Sequence, residues 1–306
     1  MRIALIGQAA FGKDVLNALI KNGGKVVATF CPPDTEGHRI DPMKEASQSH
    51  DIPVYQYKRM RAKETINKFI SLDVDLCVMA FVTDIVPIEI IEAPTFKTIQ
   101  YHPSLLPEHR GPSSINWPII EGKTKTGITI FWPDEGLDTG PILLQRETLI
   151  DQDDTLGTLY FDRLYPMGVR ALVESVDLIR AGSAPRIDQD HSLATYEGWC
   201  RSKKARINWQ TPVHNLYNLI RGCDPSPGAN TTFKDDKISF FKASVSPIKT
   251  NRDPGTVTDI TSDYFTVAAK GGSISISRVQ MNQMRKMSAS DFIEYSGLKN
   301  DDTFGN

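Results

Sequence analysis

The stretch Arg2-Ile-Ala-Leu-Ile-Gly7-Gln-Ala-Ala-Phe-Gly12-Lys-Asp14-Val-Leu16-Asn-Ala-Leu19-Ile20 begins with an apolar run of strand length. It passes through a glycine-bounded turn and then sets Val15, Leu16, Leu19 and Ile20 at helical spacing. A strand feeding an amphipathic helix in this way is the first half of a βαβ unit. Outward from it the pattern repeats: residues 26–30, 76–79, 98–101, 127–131 and 142–145 read as strands, and 63–70 as a helix with Ile66, Phe69 and Ile70 on one side. The alternation predicts an α/β, Rossmann-like domain on a mainly parallel sheet. Residues 7–14 nearly spell a phosphate loop, but Asp14 stands where a magnesium-holding hydroxyl belongs, and its charge repels phosphate. Gly7 and Gly12 are therefore read as structural, letting the chain turn tightly from strand to helix.

Further along, residues 154–181 read as one long helix, capped by Asp154, ended by Gly182 and kinked or divided at Pro166. Residues 183–202 turn to Asp, Gln, His and Ser, the composition of a linker. Beyond them lie a helix at 212–221 and short strands at 237–241, 255–260, 264–269 and 273–279, the pattern of a small OB-like β-barrel. The expected organisation is a catalytic domain over 1–182, a linker over 183–202 and a barrel-like domain over 203–306.

Composition narrows the class. With 306 residues, 40% hydrophobic and 24% charged, the chain has ample material for folded cores. No stretch reaches the roughly 20 apolar residues of a membrane helix, and the start lacks a signal-peptide core, so a cytoplasmic protein without a membrane partner is expected. Cys31, Cys77, Cys200 and Cys223 lie far apart in sequence with no CxxC pair, and are read as reduced and buried. His38, His50, His191 and His214 stand alone among polar residues, and no metal is implied. The formal net charge is −2, but residues 201–306 hold 15 Lys and Arg against 10 Asp and Glu. That mild basicity falls short of the dense clusters of a strong nucleic-acid binder.

Two loops carry the chemistry. Gln100-Tyr-His102-Pro-Ser104-Leu105-Leu-Pro107-Glu-His109-Arg110-Gly111 follows a strand and is rich in turn formers, and strand ends of this kind hold ligand sites in α/β sheets. Pro133-Asp-Glu-Gly136-Leu-Asp138-Thr-Gly140 lies between two strands. A carboxylate there, reaching a histidine at a neighbouring strand end, can orient the ring and help it exchange protons in acyl transfer. A structural ion pair is an equal reading of the residues alone. Trp117 and Trp132 near these loops suit either core packing or stacking on a flat ligand.

The pair His102-x-Ser-Leu-Leu-Pro and Gly-Leu-Asp138-Thr-Gly, 36 residues apart, resembles the signature of the folate-dependent formyltransferase family. The similarity extends through Ser114-Ile-Asn-Trp117 and Thr195-Tyr-Glu-Gly198 to the tail. It implies a donor, 10-formyltetrahydrofolate, and no metal. It implies that His102 acts at the formyl carbon, that Asp138 pairs with it or polarises the attacking water, and that Ser104 and Leu105 shape the pocket. Phe81-Val-Thr-Asp84-Ile85-Val86-Pro87 matches the family's folate loop, whose backbone grips the pterin. Gln100 stands where family transferases carry an oxyanion-stabilising Asn.

For the acceptor, the resemblance favours water. The segments around Gly7, His102 and Asp138 are similar to the amino-terminal hydrolase domain of 10-formyltetrahydrofolate dehydrogenases. Residues 31–43 carry Asp34, Glu36 and Asp41 against Arg39, where tRNA formyltransferases are basic. Ending at Asn306, the chain is expected to release formate by hydrolysis rather than to oxidise the formyl group. The rival reading is methionyl-tRNA formylation; formylation of an amino sugar or other small amine, and a folate-binding regulatory relative without turnover, are weaker ones.

Overall fold

A computed structural model describes residues 1–246 and 250–305. The first 111 residues alternate β1 (Arg2–Gly7), α1 (Ala9–Lys21), β2 (Lys25–Cys31), α2 (Pro42–Ser49), β3 (Val54–Gln56), α3 (Lys63–Ile70), β4 (Leu76–Ala80), α4 (Ile88–Glu92) and β5 (Thr98–His102). After α5 (Asn116–Ile120) come β6 (Lys125–Phe131) and β7 (Ile142–Leu149). These strands form one sheet in the order β3-β2-β1-β4-β5-β6-β7, parallel from β3 to β5, with β6 antiparallel to β5. The chain winds outward from β1 to β3 and then returns to β4 on the other side of β1. The C-terminal ends of β1 and β4 therefore flank a topological switch point, where open α/β sheets leave a crevice.

The central strands are buried on both faces, as parallel strands covered by helices must be. Alternation sends Ala4, Ile6, Cys77 and Met79 into a core shared with Phe30, Phe69, Ile90 and Ile91. On the other face Tyr101 meets Phe11 of α1, and the glycine at position 168 admits the Tyr101 ring, which a Cβ there would approach to 2.4 Å. Gly7 and Gly12 are structural, as expected, but for close approach rather than for a turn. A Cβ on Gly7 would lie 2.4 Å from the Ala80 carbonyl oxygen, and one on Gly12 2.8 Å from Met43 Sδ.

The long helix expected over 154–181 is divided at its proline. A single turn, α6 (Leu156–Thr158), is followed by a π-helical stretch over Leu159–Leu164 and by α7 (Tyr165–Arg180), which takes Pro166 in its first turn. Thr155, not Asp154, caps the start, in a reciprocal capping box with Thr158.

The chain forms two compact units: residues 1–111, 127–148 and 162–196, and residues 112–126, 149–161 and 197–305. The stretch 183–202 is thus not a free linker, because through Tyr196 it belongs to the first unit. The second unit has α8 (Val213–Gly222), β8 (Ala229–Phe233), β9 (Asp236–Ser246), β10 (Val257–Ile260), β11 (Phe265–Ala269), β12 (Gly272–Met281), β13 (Met287–Ser288) and α9 (Ala289–Ser296). Its sheet runs β10-β11-β12-β9-β8 with antiparallel neighbours, and β13 is appended to β12. Trp209, Phe233, Phe240, Phe265, Phe292 and Phe304 make its aromatic core. Trp117, partly buried, packs against this core and donates Nε1 to the Gly198 carbonyl, so packing accounts for its indole. Cys200 and Cys223, far apart in sequence, come together here with their sulfurs 3.8 Å apart. All four cysteines are buried, and burial pushes the Cys31 and Cys77 thiols up to about 12. Among the described residues no helix is long and apolar enough to cross a membrane.

Candidate active site

Gln100 and His102 stand two residues apart on β5 and so project from the same face of the sheet. The loop between β6 and β7 carries Asp138 over that face, and the three side chains meet. Asp138 Oδ2 lies 3.5 Å from His102 Nδ1, and Gln100 Nε2 lies 3.5 Å from Asp138 Oδ1. The Gly111 N–H donates to Asp138 Oδ2 at 2.8 Å. His102 and Asp138 are 5% and 6% exposed, so water does little to screen them from each other.

The hydrogen bonds assign the imidazole. Nε2 of His102 is 2.8 Å from the His109 carbonyl oxygen, which can only accept, so Nε2 carries a hydrogen. Nδ1 is left facing the Asp138 carboxylate. The arrangement provides a carboxylate, an imidazole edge and an amide donor around one point, the set required to move a proton while negative charge grows on a carbonyl oxygen.

Both loops are braced from within the first unit. Ser104 Oγ donates to the Glu108 carbonyl, Thr129 Oγ1 donates to the Ser104 carbonyl and accepts from the Leu106 N–H, and Gln145 Nε2 donates to the Leu106 carbonyl. Leu105 packs close to Gly127. Ser104 and Leu105, expected to shape a pocket, make these contacts within the loop and its neighbouring strand. Across the other loop, Trp132 N–H donates to the Pro141 carbonyl, and a Cβ on Gly140 would fall 1.8 Å from the Trp132 carbonyl oxygen, so glycine is required there. Trp132 is buried, donates Nε1 to the Pro185 carbonyl and lies under the Arg186 guanidinium, which makes its indole a packing group.

The loop after β4 starts beside this cluster, since Met79 pairs with Gln100 in the register. Phe81 and Ile85 are 46% and 71% exposed, whereas Val86 is buried in the core. The Asp84 carboxylate accepts from the Met60 N–H at 2.8 Å and pairs with Arg59 at 3.3 Å, so it anchors the loop. Gln8 at the end of β1 donates to Thr83 Oγ1 across the switch point. Phe81, His109 and Asp138 all hold positive φ, at 62°, 56° and 55°, a conformation that costs a non-glycine residue about 1 kcal/mol or more. Three such residues in the loops of one site mark where the fold accepts strain for geometry.

Composition hid the strap 183–196. Ile142 and Ile187 exchange backbone hydrogen bonds, Thr195 accepts from the N–H groups of His109 and Arg110 through Oγ1 and its carbonyl, and buried Gln189 bonds both loops. The Thr195-Tyr196 pair was the sequence signal available for it, and the Tyr196 ring does cover Gly111. The acidic stretch at 31–43 is also altered by folding. Asp34 pairs with Lys44, which with Gln56 holds its carboxyl below the usual carboxylate range, and Asp41 accepts from the N–H groups of Ala9 and Met43. A groove of about 750 Å³ between α1 and α7 contains none of the residues of the cluster.

Known proteins are similar to this chain over both of its units. A family model described as "Formyl transferase" matches residues 1–176, and one described as "Formyl transferase, C-terminal domain" matches residues 201–297. The cytosolic 10-formyltetrahydrofolate dehydrogenase of Homo sapiens is 39% identical over 96% of this chain and 34% of that protein. This chain therefore spans about a third of the length of the dehydrogenases it matches. The methionyl-tRNA formyltransferase of Clostridioides difficile is 33% identical over 96% of each protein. Among solved structures, HypX from Aquifex aeolicus in complex with tetrahydrofolic acid aligns with a TM-score of 0.72 at 17% identity, over 98% of this chain and 48% of that one. An N-formyltransferase from Helicobacter canadensis aligns at 0.69 and 18%, over 90% and 98%. At these identities the structural likeness is one of fold, whereas the sequence matches span both units: the chain belongs to the formyl transferase family.

Proposed function

We propose that this chain is an enzyme that takes the formyl group from 10-formyltetrahydrofolate and passes it to water, releasing formate and tetrahydrofolate. The observation that carries the reading is the buried cluster of Gln100, His102 and Asp138 at the end of β5. The formyl carbon on N10 is an amide carbon, so water must add to it and form a tetrahedral oxyanion. Asp138 takes the proton of the water as its oxygen bonds to carbon. The amide of Gln100, beside the His102 ring, stabilises the charge that develops on the formyl oxygen. Collapse of the intermediate breaks the C–N10 bond, N10 takes from Asp138 the proton that came from the water, and formic acid leaves and ionises to formate in solvent. In this reading the folate ring lies along residues 81–87, gripped by backbone and covered by Phe81 and Ile85. The relatives named for 10-formyltetrahydrofolate and the neighbour that binds tetrahydrofolic acid support the donor.

A second reading, formylation of methionyl-tRNA, is favoured by the end-to-end match with the Clostridioides difficile enzyme. The acidic stretch weighs less against it than its composition suggests, because Asp34 and Asp41 are engaged within the fold. The test is release of tetrahydrofolate, followed by absorbance, first without an acceptor and then with methionine-charged initiator tRNA. Steady release without acceptor is expected; release only with charged tRNA overturns the hydrolase reading in favour of the transferase.

A further inference from the structure

Gln189 lies in the strap that composition marks as linker, yet its side chain is 5% exposed. Its amide is used at both ends. Nε2 donates to the carbonyl oxygens of Asp138 and Gly140 at 3.0 and 2.6 Å, and Oε1 accepts from Nε and Nη2 of Arg110 at 3.2 and 2.7 Å. These bonds reach both loops that meet at His102. Arg110 stands between His109, whose carbonyl accepts from His102 Nε2, and Gly111, whose N–H holds Asp138 Oδ2.

We propose that Gln189 is a positioning residue, which sets the direction of the Asp138 carboxylate and locks the Asp138 loop to the loop that orients His102. The inference rests on the reading of His102 and Asp138 as the reacting pair. Asp138 is held at a φ of 55°, and both its His102 and its Gln100 contacts are 3.5 Å long, so a small relaxation of its backbone breaks them. The clamp acts on the backbone of that residue. The Arg110 charge on Oε1 polarises the amide and strengthens its two donations. Glutamine alone fits both ends: glutamate keeps the acceptor for Arg110 but sets a carboxylate against two carbonyl oxygens, and methionine fills the space without bonding either side.

The test compares Gln189→Met and Gln189→Glu with the wild-type chain. It uses steady-state tetrahydrofolate release, thermal melting, and the ring ¹⁵N–¹H resonances of His102, assigned against His102→Asn. Both variants are expected to lose kcat on the order of 100-fold, the size of effect that a misplacement of about 1 Å produces, with KM for the folate within twofold. Both are also expected to shift the His102 ring resonances in the folate-free protein. Folded Gln189→Met with wild-type kcat and unshifted His102 signals overturns the proposal, as does Gln189→Glu with full activity. The two readings separate cleanly. Shifted His102 signals in a chain whose wild type releases no tetrahydrofolate, with or without methionine-charged initiator tRNA, uphold the positioning role and sink the formyl reading; wild-type turnover with unshifted signals does the reverse.

Discussion

The loop that leaves β4 and the loop that leaves β5 start side by side, yet they are tied down very differently. After β5, His102, Ser104 and His109 are buried, and bonds from Ser104, Thr129, Gln145 and Thr195 fix the path residue by residue. After β4, one carboxylate, Asp84, and one hydroxyl, Thr83, hold the loop, while Phe81 and Ile85 remain exposed. In the proposed site the contrast separates two demands. A reacting centre needs geometry fixed before the substrate arrives, because reorganisation during reaction raises the barrier. A binding loop gains more from keeping apolar surface free for the ligand to cover.

Removing charge at the fixed centre should have the largest effect. Asp138→Asn keeps the shape and an acceptor for the Gly111 N–H but loses the base, so kcat for tetrahydrofolate release is expected to fall about 10²–10⁴-fold. The melting curve should stay close to that of the wild type. Full specific activity in a folded Asp138→Asn protein would reduce the His102–Asp138 pair to a structural contact and erase the contrast between the loops.

At the open loop the expected effect is smaller and of another kind. Ile85→Ser removes an exposed side chain, so stability should change by no more than about 0.5 kcal/mol. In the proposed site that side chain covers the folate ring, and losing part of its burial, roughly 1 kcal/mol, should raise KM about three- to tenfold with kcat kept. Isothermal titration with tetrahydrofolate checks this directly, and unchanged affinity removes the loop from the binding surface.

How much of this was legible in the sequence follows the same division. Strand 76–79 is legible as a continuous apolar run, and strand 98–101 and helix 63–70 through the spacing of their apolar residues, and the structure differs from those bounds by no more than a residue. β3 did not: its three residues are half-buried and too few to show alternation. α2 was hidden because its N-cap, Asp41, reads in sequence as one more acid in a charged loop. β8, Ala-Asn-Thr-Thr-Phe, is buried through hydrogen bonding and context rather than hydropathy. Within the candidate site, a motif singles out His102 and Asp138 but not Gln189. Hydropathy weighs side chains one at a time, whereas the strap is held by amide and hydroxyl bonds to residues roughly 50 to 90 positions away.

Asp84 provides the finest test, because the motif places it among ligand-binding residues while the structure turns it inward. Its carboxylate satisfies the Met60 N–H, and its Arg59 partner is 59% exposed, a pairing that water and salt weaken. Asp84→Asn retains an oxygen for Met60 and gives up only that exposed pairing. The expected cost is therefore below about 1 kcal/mol in stability, with KM for the folate changed less than twofold. If Asp84 instead meets the ligand through its charge, the same substitution raises KM by roughly tenfold or more, since a charge-assisted hydrogen bond contributes about 1.5–3 kcal/mol. A small change means that the loop binds through backbone and apolar surface, with Asp84 as one of its anchors; a large one means that the loop turns its carboxylate outward when the folate arrives, and is less fixed than its Asp84 and Thr83 bonds imply.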